Sequence, residues 1–528
     1  MAGTVSVARV LSRAELGLEA PLVQVEAQLG AGLPSFSIVG LPAPVVRESR
    51  ERVRAAILSS GFQFPAGRIT VNLAPAELLK HGGRFDLPVA LALLVASGQV
   101  RAAARWQFEC YGELGLAGEL KPVGGIFLAA LHACRAGHAL IVPQANGEEA
   151  RLSGHTTAFG VLDLRAATLR LSQPDASCDI PSRERASSRA REAADAAAAP
   201  AALAANALAD VVGHWQAKRA LIIAAAGGHS LLMVGPPGSG KSMLAARLPA
   251  LLPPLSASEA LEVASVASMA GHKLDARGWT VRPFRAPHHT ASANAIVGGG
   301  PQIRPGEISL AHCGVLFLDE LPEFDRRVLE SLREPMETGL ITIARAAARI
   351  ELPAQFQFIA AMNPCPCGHL GDPAQSCRCS PARIERYRQR ISGPLLDRID
   401  IRIEIPRLAA EELTAAVSQR TGAQLAASGE PLAQALRARS WRLQRSGCLS
   451  ARLSAAQLRS CCALPSGAEQ LLRRSAQRLA LSGRGVHRVL ALGRTIADLA
   501  GSETIEAAHL AEAVQLRRAL DVPPALPS

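Results

Sequence analysis

The pattern of apolar and polar positions changes character repeatedly along the chain. The first stretch mixes β-rich runs, Leu22 to Leu29 and Arg68 to Leu73, with helical segments over Val45 to Ser59 and Leu87 to Ser97, which predicts an α+β domain over residues 1–171. Gly-Leu-Pro near Gly32 and Gly40, and Gly124-Gly125 after Pro122, supply tight turns between these elements. Residues 172–209 then lose nearly every large apolar side chain and become Ala, Ser and Arg, a linker that is helical in part where Ala dominates. Short apolar runs follow at Leu231-Leu232-Met233-Val234, Val315-Leu316-Phe317-Leu318 and Phe356 to Ala361, each the mark of a buried strand, within a core over 210–407. From 408 to 528 the spacing is helical again. Leu432 and Leu436 stand four apart, with further leucines at Leu413, Leu443, Leu472 and Leu490, which predicts a small all-α lid. No repeat of solenoid period is present.

Length and charge narrow the function classes without choosing one. A chain of 528 residues is long enough for two to four domains, each with its own core. The 57 Lys and Arg outweigh 45 Asp and Glu, giving a net charge of +12, which suits a polyanionic partner or an Arg-rich, Ala-rich background equally well. Eleven cysteines, with Cys461 beside Cys462 and four crowded between Cys365 and Cys379, do not resemble a secreted disulfide framework. Met1 to Val10 lacks the pattern of a signal peptide, and the most apolar segment, Leu87 to Ala96, falls short of the roughly 20 residues a membrane span needs. A cytoplasmic protein with no membrane partner is expected.

The run Leu231 to Val234 feeds Gly235-Pro236-Pro237-Gly238-Ser239-Gly240-Lys241-Ser242, and a helical pattern from Met243 to Leu252 follows. Strand, glycine-rich loop and helix in this order are the context of a phosphate-binding loop: glycines let successive backbone N–H groups face phosphate oxygens. Lys241 is then placed to hold the β- and γ-phosphates of ATP, and Ser242 to ligate Mg²⁺. The apolar strand ending in Asp319-Glu320 delivers two carboxylates, Asp319 for Mg²⁺ and Glu320 for activating the attacking water. Alone, a strand followed by two acids is a weak signal; beside the phosphate loop it is strong.

The third strand ends at Met362-Asn363, and an amide there can orient water against the γ-phosphate as a sensor. This order of motifs marks an additional-strand P-loop ATPase of the AAA+ class, whose members commonly form rings. Ser392 to Asp400 resembles the segment that carries the arginine finger in that class. Arg398 either reaches a neighbouring subunit's ATP or pairs locally with Asp397 and Asp400. Ser482 to Arg488 looks like a second sensor, with Arg488 the first candidate and Arg484 the second.

A specific family likeness rests on the phosphate loop, PFRAPHHTASANAIVGGG (Pro283 to Gly300), GEISLAHCGVLFLDELPEF (Gly306 to Phe324), AAMNPCPCG and SGPLLDRIDI. Together with GLPSFSIVGLP, the stretch from Glu48 to Leu94 and GELGLAGELKPVGG, these resemble the ComM/YifB family of magnesium-chelatase-like AAA+ ATPases over nearly the whole chain. The resemblance implies a hexameric DNA motor moving branched or three-stranded DNA in natural transformation. It also implies a multidomain α/β protein: a Lon-protease-like N-terminal α+β domain, an AAA+ P-loop core and a C-terminal all-α lid. Lon-type hydrolysis needs a Ser nucleophile and a Lys base. Here Lys80 to Asp86 holds no hydroxyl residue and Gly124 to Ala129 no lysine, so no peptidase activity is expected. One departure precedes the phosphate loop, where Gly213-His214 stands in place of the family's usual Gly-Gln.

Residues Gly339 to Ile343 and Ala348 to Leu352 alternate with period two, the pattern of a β-hairpin. In a ring motor it would point into the pore, with Arg345 and Arg349 contacting phosphates without sequence preference; the equal alternative is a solvated turn. Gly298-Gly299-Gly300 with Arg304 is a second pore-loop candidate. His288, His289 and His312 lack a metal-ligand rhythm and read as loop-ordering residues. Cys365, Cys367, Cys377 and Cys379 form two Cys-x-Cys pairs able to give four thiolates to structural Zn²⁺, the alternative being a reduced, metal-free cluster. A chelatase-like remodelling ATPase acting on a protein or metal-insertion partner is the second function to weigh. A regulatory nucleotide switch is the third.

Overall fold

The structure is a computed structural model that describes residues 6–41, 43–103, 107–155, 157–173, 208, 211–300, 303–345, 348–408 and 430–518. Most of the expected linker over 172–209, and Leu413 of the expected lid, lie outside the described residues. Chain contacts divide into two compact units, Met1–Arg189 with Leu261–Trp279, and Ala190–Ala260 with Thr280–Ser528.

In the first unit a seven-stranded sheet runs in the order Ser35–Val39, Arg68–Ala74, Leu22–Gly30, Ser6–Arg13, Phe108–Cys110, Ala139–Pro143, Ala158–Val161. Alternation explains the strand Leu22–Gly30: Val23, Val25 and Ala27 point into the core and are fully buried. The helix Asp86–Ala96 is apolar on every face, and so it lies inside, with each fully buried leucine contributing about 2 kcal/mol. Its first residue, Asp86, is buried against Arg52, at Arg52 Nε to Asp86 Oδ2 2.8 Å. Burial pushes the Asp86 carboxyl up to about 6, with Arg52 acting against it. The segment Lys80 to Asp86 forms a tight turn leading into this helix. The Lys80 ammonium is buried and donates to the Gly40 carbonyl at 2.9 Å.

The second unit carries a five-stranded sheet in the order Phe284–Arg285, Val315–Leu318, Gln357–Met362, Leu231–Val234, Ile401–Glu404. Every pairing is parallel, so all five strands end at one edge. The strand Gln357–Met362 lies between the phosphate-loop strand and the acid-bearing strand, which is the additional-strand arrangement expected from motif order. Helix Trp215–Gly227 packs on this sheet. Of the C-terminal helices, Ala507–Arg518 packs on the strand Ile401–Glu404, Glu430–Ser446 and Gly483–Leu499 pack on Trp215–Gly227, and Ala455–Cys461 and Ser466–Arg478 pack on Gly483–Leu499 and Ala507–Arg518 respectively. They share one hydrophobic core with the sheet: its Leu231, Phe317 and Ile359 meet Val489, Leu492, Ile496 and Leu510. Ser454 starts its helix with a capping box to Gln457, which satisfies two end groups of that helix.

Two boundaries differ from expectation. The helix after the phosphate loop covers Lys241–Arg247 and tightens into a 3₁₀ turn over Leu248–Leu251, because Pro249 has no N–H to continue the α ladder. The sensor strand runs from Gln357 to Met362, one residue later than its apolar run. No helix among the described residues is long and apolar enough to cross a membrane.

Candidate nucleotide-binding site

The C-terminal edge of the parallel sheet collects the expected site residues. Gly235 leaves the strand Leu231–Val234, and a Cβ there would fall 2.2 Å from the Ile405 carbonyl oxygen, so only glycine lets the loop cross the sheet. Gly238 and Gly240 take φ of +75° and +85°, turning the backbone in a way other residues resist. Lys241 is folded under this loop. Its Nζ donates to the Gly235 and Pro236 carbonyls at 2.8 and 2.9 Å and to Asn363 Oδ1 at 3.3 Å. Burial lowers the Lys241 pKa, with Asp319 and Glu320 opposing it. Ser239 Oγ is buried with no hydrogen-bond partner, a donor poised for a phosphate oxygen.

Ser242 Oγ donates to Asp319 Oδ2 at 2.6 Å, which brings together the two residues expected to hold Mg²⁺. The donor set fits: one hydroxyl and one carboxylate is the oxygen chemistry Mg²⁺ takes beside phosphates. Asp319 Oδ1 also accepts from the Glu320 N–H at 2.9 Å. Glu320 has φ +52°, a left-handed conformation unusual for a residue with a side chain, and its carboxylate is half-exposed. That carboxylate lies 3.1 Å from His289 Nδ1. His289 in turn packs beside the tilted ring of His288, with centroids 4.2 Å apart, and abuts Phe324 edge-on.

Arg398 and Arg488 lie at the other edge. The strand Ile401–Glu404 runs parallel to Leu231–Val234 with Ile401 opposite Leu231, so Arg398 and Asp400 precede the sheet where the phosphate loop follows it. Four strand residues separate the two edges by about 13 Å. Arg398 is buried, and its ion pair is with Glu337 (Nη2 to Oε1, 2.8 Å) rather than with its neighbours Asp397 or Asp400. Arg484 reaches the same Glu337 oxygen at 2.5 Å. Arg488 pairs with Asp400 at 3.1 Å, and Asp400 also faces His229 Nδ1 at 3.1 Å. Burial alone would raise the Asp400 carboxyl, yet Arg488 and His229 hold it below its usual value. Arg398, Arg484, Arg488, Glu337 and Asp400 line one cleft of about 780 Å³.

The expected hairpin is present as Leu340–Arg345 paired antiparallel with Ala348–Pro353. Arg349 is exposed and lies 3.5 Å from Glu351, while the side chain of Arg345 lies outside the described part of the structure. Gly298–Gly299 and Arg304–Pro305 form a second small ribbon, with Arg304 exposed. The four cysteines converge: the Cys365 sulfur is 3.3 Å from Cys367 and 3.6 Å from Cys377, and all four sulfurs lie within 4.8 Å of one another. Burial acts to raise the Cys367 thiol, but N–H groups of His369 and Arg378 bring it down to about 6.

Three partners were not legible in the sequence. Glu337 precedes Arg398 by dozens of residues, and His229 looks like an ordinary helix-end residue. His289 follows the edge strand Phe284–Arg285, and only the parallel neighbour Val315–Leu318 brings it to Glu320. The His pair after that strand was the available signal.

Phosphate loop, paired acids and sensor amide at one edge of an additional-strand parallel sheet define a P-loop ATPase of the AAA+ class. A family model described as magnesium chelatase, subunit ChlI, matches residues 207–413. Models of subunit ChlI of Mg-chelatase and of the ChlI C-terminal region match residues 25–146 and 426–517. The competence protein ComM of Haemophilus influenzae is 45% identical over 515 residues, covering 97% of each chain. Proteins YifB of Salmonella typhimurium and Escherichia coli are 44% and 43% identical, again over 97% of each chain. The chain belongs to the ComM/YifB family of magnesium-chelatase-like proteins.

Proposed function

We propose that the protein is an ATP-hydrolysing, homohexameric DNA motor that drives helicase or branch-migration steps on recombination intermediates such as those of natural transformation. The observation that carries this reading is the separation of the site into two halves. The loop Gly235 to Ser242, Asp319, Glu320 and Asn363 stand at one sheet edge, and Arg398 and Arg488 stand at the other. The second half is too far from the first to complete it within one chain, so a second copy supplies Arg398 and Arg488 to the nucleotide. Mg²⁺ held by Ser242 and Asp319 would neutralise phosphate charge. Lys241 binds the phosphates, Glu320 takes a proton from the attacking water, and Asn363 orients that water.

The choice of DNA as load draws on the basic balance, the exposed Arg349 and Arg304, and the naming of the Haemophilus relative as a competence protein. Branched and single-stranded DNA are the forms it would engage, through the two small ribbons and without sequence readout. We read the four-thiol cluster as a structural zinc site and the protein as cytoplasmic. The domain boundaries proposed are 1–171, 172–209, 210–407 and 408–528, with the first a Lon-protease-like fold serving assembly or binding. Helicase and branch-migration assays on defined forks, with ATP turnover measured alongside, test the motor. Strand movement that stops in Glu320→Gln supports it; ATP turnover without any strand movement refutes it. DNA-independent turnover that responds to a protein partner would favour the chelatase-like remodelling reading.

A further inference from the structure

The cysteine cluster is continuous with the wall of the nucleotide pocket. Its first thiol, Cys365, is two residues beyond Asn363, whose side chain accepts from Lys241. The loop between the two Cys pairs lies on the phosphate loop itself. Gly368 turns with φ +85°, and a Cβ added there would fall 2.6 Å from Pro237 Cδ and 3.9 Å from Asn363 Cγ. The backbone of Gly368 is therefore packed against both the phosphate loop and the sensor amide.

Further along the loop, the fully buried carboxylate of Asp372 lies 3.2 Å from His369 Nδ1 and 3.6 Å from Arg407 Nη2. The same Arg407 nitrogen donates to the Pro237 carbonyl at 3.5 Å. Pro237 is thus touched by Gly368 of the cysteine loop and held by Arg407, which follows the strand Ile401–Glu404 and is tied to that loop through Asp372. The thiol geometry suits a tetrahedral ion. Bonds of about 2.3 Å to zinc place tetrahedral sulfurs about 3.8 Å apart. The observed separations of 3.3, 3.6 and 3.6 Å need only a few tenths of an ångström to open.

We propose that zinc bound by Cys365, Cys367, Cys377 and Cys379 sets the affinity for ATP by fixing Gly368 and Arg407 against Pro237. This rests on the structural-zinc reading and adds to it a control over the nucleotide site. Zinc takes no part in phosphoryl transfer here. It closes a nine-residue loop, Gly368 to Ser376, that otherwise is anchored by the Asp372 contacts and by packing. Releasing the loop leaves the phosphate loop free to sample shapes that do not bind nucleotide, and apparent affinity falls with the competent fraction.

The test uses the full chain as purified. Zinc content is measured by elemental analysis, and affinity for a fluorescent methylanthraniloyl-ATP analogue with Mg²⁺ by titration. The wild type is compared with Cys377→Ser/Cys379→Ser and with Gly368→Ala, which keeps all four thiols and presses on Pro237. One zinc per chain is expected in the wild type and in Gly368→Ala, and none in the double variant. Both variants should bind the analogue about tenfold more weakly, as when the competent fraction drops to a tenth. A wild type without zinc overturns the zinc reading and the proposal with it. Zinc lost from the double variant, or retained in Gly368→Ala, with affinity unchanged overturns the coupling alone. Should the double variant fail to fold by circular dichroism, the wild type stripped of zinc by a chelator and then reloaded decides, and unchanged affinity on stripping overturns the coupling.

Discussion

The imidazole Nδ1 of His289 stands 3.1 Å from Oε2 of Glu320, the carboxylate expected to activate water. The pair joins the segment after the edge strand Phe284–Arg285 to the end of the acid-bearing strand, and under the proposed mechanism it occupies the carboxylate that would activate water. If Glu320 activates water, His289 restrains it in the resting chain. The same segment continues into the Gly298–Gly299 ribbon.

Removing this restraint should speed the idle enzyme. A half-exposed contact of this kind is worth about 0.5–1 kcal/mol, so His289→Ala should raise ATP turnover without DNA by about two- to fivefold. Steady-state phosphate release measures it. A fall in turnover would instead make His289 the group that aims Glu320 at water.

Glu320→Gln keeps the shape of the side chain and removes its basicity. Hydrolysis should fall by about a hundredfold or more, while nucleotide binding stays within about twofold. Single-turnover hydrolysis beside equilibrium binding separates the two effects.

Arg398→Ala should abolish most hydrolysis, since an arginine supplied to a neighbour's phosphates accounts for about a thousandfold or more in rate. Lys241→Ala should also be inactive. Mixing the two variants should restore part of the activity, because each retains the half the other lacks. A silent mixture would assign Arg398 a role within its own chain, through Glu337.

Asp86 predicts a pH effect on the first unit. Its carboxyl keeps a proton in the folded chain up to about pH 6, but in the unfolded chain only to the ordinary aspartate value of 3.8. Between those values the folded state binds more protons, so stability declines as pH rises, by at most about 3 kcal/mol in total. Melting wild type and Asp86→Asn side by side from pH 4 to 7 checks it. The wild type should lose ground to the variant as pH rises, and parallel curves would sink the assignment.

What could be read from the sequence was mostly local. The strand Leu231–Val234, its glycine loop and the helix behind it are contiguous, so spacing alone located Lys241 and Ser242. Asp319 and Asn363 were equally accessible because each directly follows an apolar strand. Pairing across the sheet was not. Glu337 with Arg398, and His289 with Glu320, depend on strand order and on which edge each strand leaves. The convergence of Cys365, Cys367, Cys377 and Cys379 was visible as spacing, but the contact of Gly368 with Pro237 was not. The helix after the phosphate loop was read too long because apolar spacing continues past Pro249 while the α ladder cannot.

The two edges of the parallel sheet also bear on how copies would count themselves. Nucleotide loop and arginine pair are different surfaces, so copies joined through them meet head to tail, and such a stack has no end of its own. An open arc always leaves an idle loop at one tip and unused arginines at the other. Closing the circle adds one working site without adding a subunit, and that single gain distinguishes a ring from any shorter chain of the same parts.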